Sequence, residues 1–400
     1  MNSPQAWTSP ADIEAEVLKC WTKGRILTAK ITGETIFPFR LRLRMPDGKA
    51  LAARFDEARA WIRTLENGSR TTRGYGYDIM WSELNHRQLG RNRIPCQVVV
   101  PTEADALRLI RRGAEAERFD RLGAVIVSEF PQLTSWIARR PLLALEHAKD
   151  WGRLLAVLAW FRDHPRSGLY LRQLDIPGVD TKFIETRKGL LSELLDLVLR
   201  PAADQSGALE AVGFEGRYGL LNKPATLRFR ILDRWPGLGG LSDISTPAAE
   251  FARLNLNPRV VFITENEING LAFPPVAGGL VIFGLGYSLD LLAKARWLEQ
   301  ADVFYWGDID THGCAMLDRL RSYFPGSRAL LMDQATLFAH RQLWVREDRP
   351  FTGALTRLTD SEQVLFEGLK GNQFGSNVRL EQERVPYGWV RAALATLGLV

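Results

Sequence analysis

Four short apolar runs stand at regular intervals in the last third of the chain. They are R-V-V-F-I-T from Arg259, G-L-V-I-F-G from Gly279, A-D-V-F-Y-W-G from Ala301 and R-A-L-L-M-D from Arg328. Each is unbroken rather than alternating, which predicts strands buried on both faces. Helical spacing follows three of them, in S-L-D-L-L-A-K-A-R-W-L-E, T-H-G-C-A-M-L-D-R-L-R-S-Y-F and Q-A-T-L-F-A-H-R. The first run is followed by a shorter connection, E-N-E-I-N-G-L-A-F-P. Apolar strands alternating with helices predict a mainly parallel sheet covered on both sides.

Upstream the pattern is mixed. D-I-E-A-E-V-L-K-C-W reads as a helix capped by Asp12, with Ile13, Val17, Leu18 and Trp21 on its apolar face. F-P-F-R-L-R-L-R-M alternates from Phe37, so Arg40, Arg42 and Arg44 share one strand face, either solvated or along a phosphate backbone. Y-D-I-M-W-S-E-L from Tyr77 predicts a second strand, N-H-R-Q-L-G-R-N-R-I-P a basic turn, and Pro101 the start of a helix. Residues 142–161 have helical spacing.

From Gly168 to Leu199 a short strand, a P-G turn, a helix start at Asp180 and a long amphipathic run follow one another. The order fits a winged-helix or helix-turn-helix module, and equally a bare helical hairpin. In the first reading Lys182, Arg187 and Lys188 lie near the first helical turns, where such modules meet DNA. P-A-A-D-Q-S-G-A from Pro201 predicts a loop, R-F-R-I-L-D from Arg228 a strand, and the Pro/Gly-rich R-W-P-G-L-G-G-L-S-D from Arg234 a linker.

Composition narrows the classes. At 400 residues, two or three domains are expected. Hydrophobic content of 46% and charged content of 24% fit a globular protein. The longest apolar runs fall far short of the ~20 residues of a membrane span, and M-N-S-P-Q-A-W-T-S-P does not resemble a signal peptide, so a cytoplasmic protein is expected. The three cysteines, Cys20, Cys96 and Cys314, form no C-x-x-C pair and support neither a zinc knuckle nor a disulfide framework. The net charge is +6, and 42 of the 52 basic residues are arginine. Arginine suits phosphate recognition, though arginine-favouring codon usage produces the same bias.

Chemistry concentrates where the apolar runs end. Parallel α/β sheets place ligands at the carboxyl ends of their strands. There stand Glu265, then Asp308 and Asp310, then Asp333. Residues two apart in extended backbone project together, so Asp308 and Asp310 share a side while Ile309 faces the core. Close carboxylates need a raised pKa or a cation between them. Oxygen donors without sulfur suit Mg²⁺ or Mn²⁺, ions that serve phosphoryl chemistry. Glu267 and His312 are lower-weight ligands, Asp333 is expected to be a helix cap, and Asp310 could cap the helix that starts near Thr311.

T-E-N-E-I-N and G-D-I-D-T-H-G, in this order, resemble the Toprim fold of primases, type II topoisomerases and certain nucleases. Over nearly the whole chain, W-S-E-L-N-H-R-Q-L-G-R-N-R-I-P, L-D-I-P-G-V-D-T-K-F-I-E, Y-W-G-D-I-D-T-H-G and R-L-E-Q-E-R-V-P resemble the JetD family, the nuclease subunits of Wadjet anti-plasmid systems. The resemblance implies an α/β multidomain chain related to the cleaving subunit of topoisomerase VI. It would comprise an N-terminal α+β arm over 1–148, a winged-helix-like domain over 149–235, and a Toprim domain with a C-terminal helical extension over 236–400.

It also implies a Mg²⁺- or Mn²⁺-dependent, homodimeric endonuclease making double-strand breaks in plasmid DNA, with Glu265, Asp308 and Asp310 as catalytic and metal residues. The implied partners are an SMC-like ATPase, a kleisin and a small winged-helix subunit, at the nucleoid and away from membranes. Topoisomerase VI relatives cleave through a tyrosine; here only Tyr170 and Tyr218 are near, neither in a matching context, so hydrolysis by water is expected, with Tyr170 the alternative. The final motif, R-L-E-Q-E-R-V-P, is expected to be a structural helix. Two other functions share the pattern: a haloacid-dehalogenase-type phosphatase, with Asp308 as nucleophile and Lys370 its only downstream lysine, and a DNA-binding adaptor that keeps a catalytically dead shell.

Overall fold

The computed structural model describes residues 7–47, 50, 53–86, 90–199, 213–233, 239–286 and 288–400. It divides into two compact units, Met1–Asn222 and Lys223–Val400. The predicted loop from Pro201 lies outside the described residues, as does the first half of the linker from Arg234.

In the N-terminal unit, strands β1 (Phe39–Arg42), β2 (Asp78–His86) and β3 (Gly90–Val100) form an antiparallel sheet in the order β1-β3-β2. Of the segment read as a basic turn, Asn85 and His86 end β2 and Gly90 to Pro95 begin β3, with residues 87–89 outside the described residues; along β3, Ile94, Val98 and Val100 are buried. Arg40, Arg42 and Arg44 are exposed on the outer side, as the alternation predicts. Two helix starts are set by neighbours of the expected residues. Ser9 caps Pro10–Thr22, and the Asp12 carboxylate in turn accepts a hydrogen bond from the Ser9 amide. Thr102 caps Glu103–Leu109, which leaves Pro101 just outside.

The stretch 142–161 folds as parts of two helices, Pro141–Glu146 and Trp151–Asp163. Asp180 caps Thr181–Glu185, and Lys188–Leu199 buries Leu191, Leu194, Leu195 and Val198 at helical spacing. One hydrophobic core runs from Ile13 to Leu220, joining the segments on both sides of residue 148.

The C-terminal unit is built on six strands: β4 (Thr226–Ile231), β5 (Asp243–Pro247), β6 (Val260–Thr264), β7 (Gly279–Phe283), β8 (Asp302–Trp306) and β9 (Arg328–Ala329). Their order is β5-β4-β7-β6-β8-β9. β7, β6, β8 and β9 are parallel neighbours, and β4 runs antiparallel between β5 and β7. With β4 in this sheet, the second compact unit begins at Lys223.

Alternate residues of the unbroken runs feed two cores. Phe262, Val281, Phe304 and Trp306 pack on one face with Phe366 and Val390. Val261, Ile263, Ile282 and Tyr305 pack on the other with Leu317 and Leu320. The stretch after β7 is two short 3₁₀ turns, Leu289–Leu292 and Arg296–Gln300, and not the expected α-helix. Its buried Leu289, Leu292, Ala295 and Leu298 recur every three residues, the 3₁₀ period. No helix among the described residues is long and apolar enough to cross a membrane.

Candidate functional site

β6 sends its connection to β7 on one side, whereas the chain next crosses to β8 on the other. This reversal opens a crevice beyond the ends of β6 and β8, the position where open α/β sheets bind ligands. Thr264 pairs with Trp306, so Glu265 leaves β6 beside the turn that carries Asp308 and Asp310. The three carboxylates share a cleft of about 370 Å³ with His312, Glu347, Asp348, Arg349 and Arg379. Glu265 and Asp308 also line a smaller adjoining cleft with Glu381 and Glu383.

Asp308 and Asp310 are buried and point together, while Ile309 enters the core. Each acid has one oxygen held by backbone: the Gln382 N–H donates to Asp308 Oδ1 at 2.7 Å, and the Gly313 N–H to Asp310 Oδ1 at 2.7 Å. Asp310 therefore does cap the helix Thr311–Tyr323 while also facing the cleft. The turn requires a glycine, because a β-carbon on Gly313 would lie 2.0 Å from the Asp308 carbonyl oxygen. The second oxygens meet one guanidinium: Arg379 Nε lies 3.1 Å from Asp308 Oδ2 and 3.3 Å from Asp310 Oδ2.

The electrostatics record crowding. Burial pushes the Asp310 carboxyl up to about 7, reinforced by Glu347 and Asp308 and opposed by the Gly313 amide and Arg379. Burial, then Asp308, also raises Glu265, against Arg379. Burial works against the Arg379 charge, but Asp308 and Asp310 outweigh it and hold the guanidinium more firmly protonated.

Of the other candidate residues, His312 alone lines the larger cleft, and Asp333 is the helix cap expected of it. Glu267 is exposed and ion-paired to Arg228, outside the residues lining either cleft. His312 lines the larger cleft, with Nε2 2.8 Å from the Arg349 carbonyl oxygen. Asp333 caps Gln334–Ala339 through a 2.7 Å bond from the Thr336 amide. Cys314 is a buried thiol raised by burial. Lys370 lies 3.5 Å from the Gly353 carbonyl oxygen and does not line the cleft.

In the N-terminal unit Lys182 is exposed. Arg187 is held 2.7 Å from Asp150 and stacks on Phe183 at 4.3 Å, and Lys188 pairs with Glu215. Tyr170 is exposed, whereas Tyr218 is buried, bonded to Asp196, and raised by burial.

Sequence reading missed three members of the site. The R-L-E-Q-E-R-V-P segment is not a helix but strand β11 (Val378–Arg379) followed by a 3₁₀ turn, Gln382–Arg384. β11 pairs with β10 (Val345–Arg346), and Leu380 exchanges backbone hydrogen bonds with Ile309, which lays the segment along the acid turn. Gln382 bridges the two strand tips, donating from Nε2 to the Trp306 carbonyl at 2.6 Å and accepting from the Asn266 amide at 2.9 Å. Glu347, just past β10, accepts from the Thr311 hydroxyl at 2.7 Å. Neither Glu347 nor Gln382 follows a long apolar run; the signal within reach was R-L-E-Q-E-R itself, too polar for a structural helix.

The oxygen donors suit a hard divalent ion. As the side chains lie, no group of three acidic, histidine or cysteine residues among those described is arranged to hold a metal; the Arg379 guanidinium occupies the inner side of the aspartate pair.

Residues 219–394 match a family model described as the C-terminal part of the Wadjet protein JetD. Residues 10–196 match a model described as the N-terminal part of an uncharacterized protein conserved in bacteria. No curated protein matches the chain.

Proposed function

We propose that this chain, whose residues 219–394 belong to the JetD family of Wadjet proteins, is the DNA-cleaving subunit of a Wadjet complex, a divalent-metal-dependent endonuclease that makes double-strand breaks in plasmid DNA. The observation that carries this reading is the meeting of Glu265 with Asp308 and Asp310 at the sheet's switch point. In this reading the C-terminal unit is a Toprim domain, and residues 149 onward include a winged-helix-like DNA-binding module. The partners are an SMC-like ATPase, a kleisin and a small winged-helix subunit, and the protein acts as a homodimer at the nucleoid.

Glu265, Asp308 and Asp310 would hold Mg²⁺ or Mn²⁺. Bound there, the ion supplies a Lewis acid that draws charge from a phosphodiester and its leaving oxygen. The chain itself fixes the acids through the Gln382 and Gly313 amides. Water is the preferred nucleophile, with the exposed Tyr170 the alternative; burial and the Asp196 hydrogen bond remove Tyr218 from contention. A phosphatase of the haloacid dehalogenase type lacks support, since Lys370 is outside the cleft. The adaptor reading gains nothing from a cluster with every acid in place.

The test is circular plasmid incubated with the full-length protein and its Wadjet partners, with Mg²⁺, Mn²⁺ or EDTA. Linear product is expected with metal from wild type, falling at least about a thousandfold in Asp308→Ala. Cutting by Asp308→Ala at the wild-type rate, or cutting that survives EDTA, would overturn the proposal. A protein–DNA adduct trapped by denaturation would replace water by a tyrosine.

A further inference from the structure

Each aspartate of the pair presents two kinds of oxygen. Asp308 Oδ1 and Asp310 Oδ1 are taken by backbone amides that belong to the fold. Asp308 Oδ2 and Asp310 Oδ2 are both within 3.3 Å of Arg379 Nε. The donors a divalent ion would need are thus already bound to a cation of the chain. The Arg379 side chain is 35% exposed and lines both clefts, with Glu381 Oε1 a further partner 3.9 Å from its Nη2. Its strand β11 is two residues long and pairs only with β10 among the described strands.

A guanidinium binds phosphate at least as readily as carboxylate, by the same planar fork. We propose that Arg379 is the resident counter-ion of the acid pair, and that a DNA phosphate draws it off as a divalent ion enters, so that metal and DNA load together. This rests on the nuclease reading for the identity of its two ligands. In the free protein the guanidinium competes with the ion and keeps the site poorly loaded. When a phosphate accepts the guanidinium, the aspartate oxygens are released to the metal. By linkage, DNA raises metal affinity by the same factor that metal raises DNA affinity. A nuclease with this coupling stays idle in metal-replete surroundings until DNA lies in its cleft.

The test measures Mn²⁺ binding to the full-length protein by the loss of the free-ion electron paramagnetic resonance signal. Titrations are run with and without a phosphorothioate DNA duplex, on wild type, Arg379→Gln, Arg379→Lys and Asp308→Asn. Without DNA, Arg379→Gln is expected to bind Mn²⁺ about tenfold or more tightly than wild type, with Arg379→Lys between them. The duplex is expected to tighten Mn²⁺ binding several-fold in wild type and little in Arg379→Gln. Equal or weaker Mn²⁺ binding by a folded Arg379→Gln overturns the inference. Should that variant not fold, wild-type Mn²⁺ affinity that ignores DNA overturns it alone. Mn²⁺ binding undiminished in Asp308→Asn would instead sink the nuclease reading, which keeps the two failures distinct.

Discussion

Charge is gathered in two places in this protein, with opposite outcomes. At the start of the helices after Asp180, the basic residues find acids one by one: Arg187 with Asp150, Lys188 with Glu215, leaving Lys182 exposed. At the tips of β6 and β8, Asp308 and Asp310 share Arg379 while Glu265 and Glu347 line the same cleft, and burial raises Asp310 to about 7. Pairing neutralises the first group into ordinary ion pairs. Convergence leaves the second short of positive charge, and a site short of positive charge is one that can take up a cation. A run of like charge in sequence therefore carries functional weight only where folding leaves it unbalanced.

The sharpest way to break this contrast is to loosen the convergence without touching an acid. Gln382→Ala removes the amide that joins the Asn266 and Trp306 backbones. Cleavage is expected to fall about 10- to 100-fold, with Mn²⁺ affinity falling alongside while DNA affinity is retained. Full activity in Gln382→Ala would mean the strand tips hold their spacing unaided.

A smaller effect concerns stability. Because the folded pKa of Asp310 lies above its ordinary value of 3.8, its ionisation opposes folding. The penalty is absent below about pH 4, grows through the window from there to about 7, and is complete above it. Asp310→Asn keeps a capping side chain and removes the penalty. In EDTA, thermal melts should show the variant more stable above pH 7, by on the order of 2 kcal/mol, with the gap closing toward pH 4. A gap that widens on acidification would contradict the burial argument.

The smallest effects probe the paired side. Arg187→Ala should lower the melting temperature by a few degrees, since it leaves the half-buried Asp150 with fewer partners. Lys182→Ala should leave stability unchanged and reduce the salt slope of DNA binding by about one. If Lys182→Ala leaves the slope intact, DNA runs elsewhere, and the exposed Arg40 and Arg42 face becomes the next place to look.

The fold was legible where burial writes a period into the sequence. Unbroken runs marked β6 to β9, alternation marked β1, and Leu191, Leu194, Leu195 and Val198 marked a helix. The stretch from Ser288 misled because its three-residue period was taken for a helix of 3.6. In the site, Asp308 and Asp310 announced themselves by following a strand, as did Glu265. Arg379, Gln382 and Glu347 lie more than 35 residues downstream on short strands and turns with no period to read.

What the sequence determined by itself is which residues are buried in strands, and hence which acids stand at strand ends. Those are local properties, set by alternation and apolar run length. Only the tertiary structure decided that β8 would lie beside β6, that Leu380 would pair with Ile309, and that one guanidinium would span two aspartates. Contacts between residues dozens of positions apart depend on how strands are ordered in the sheet, and no local pattern encodes that order.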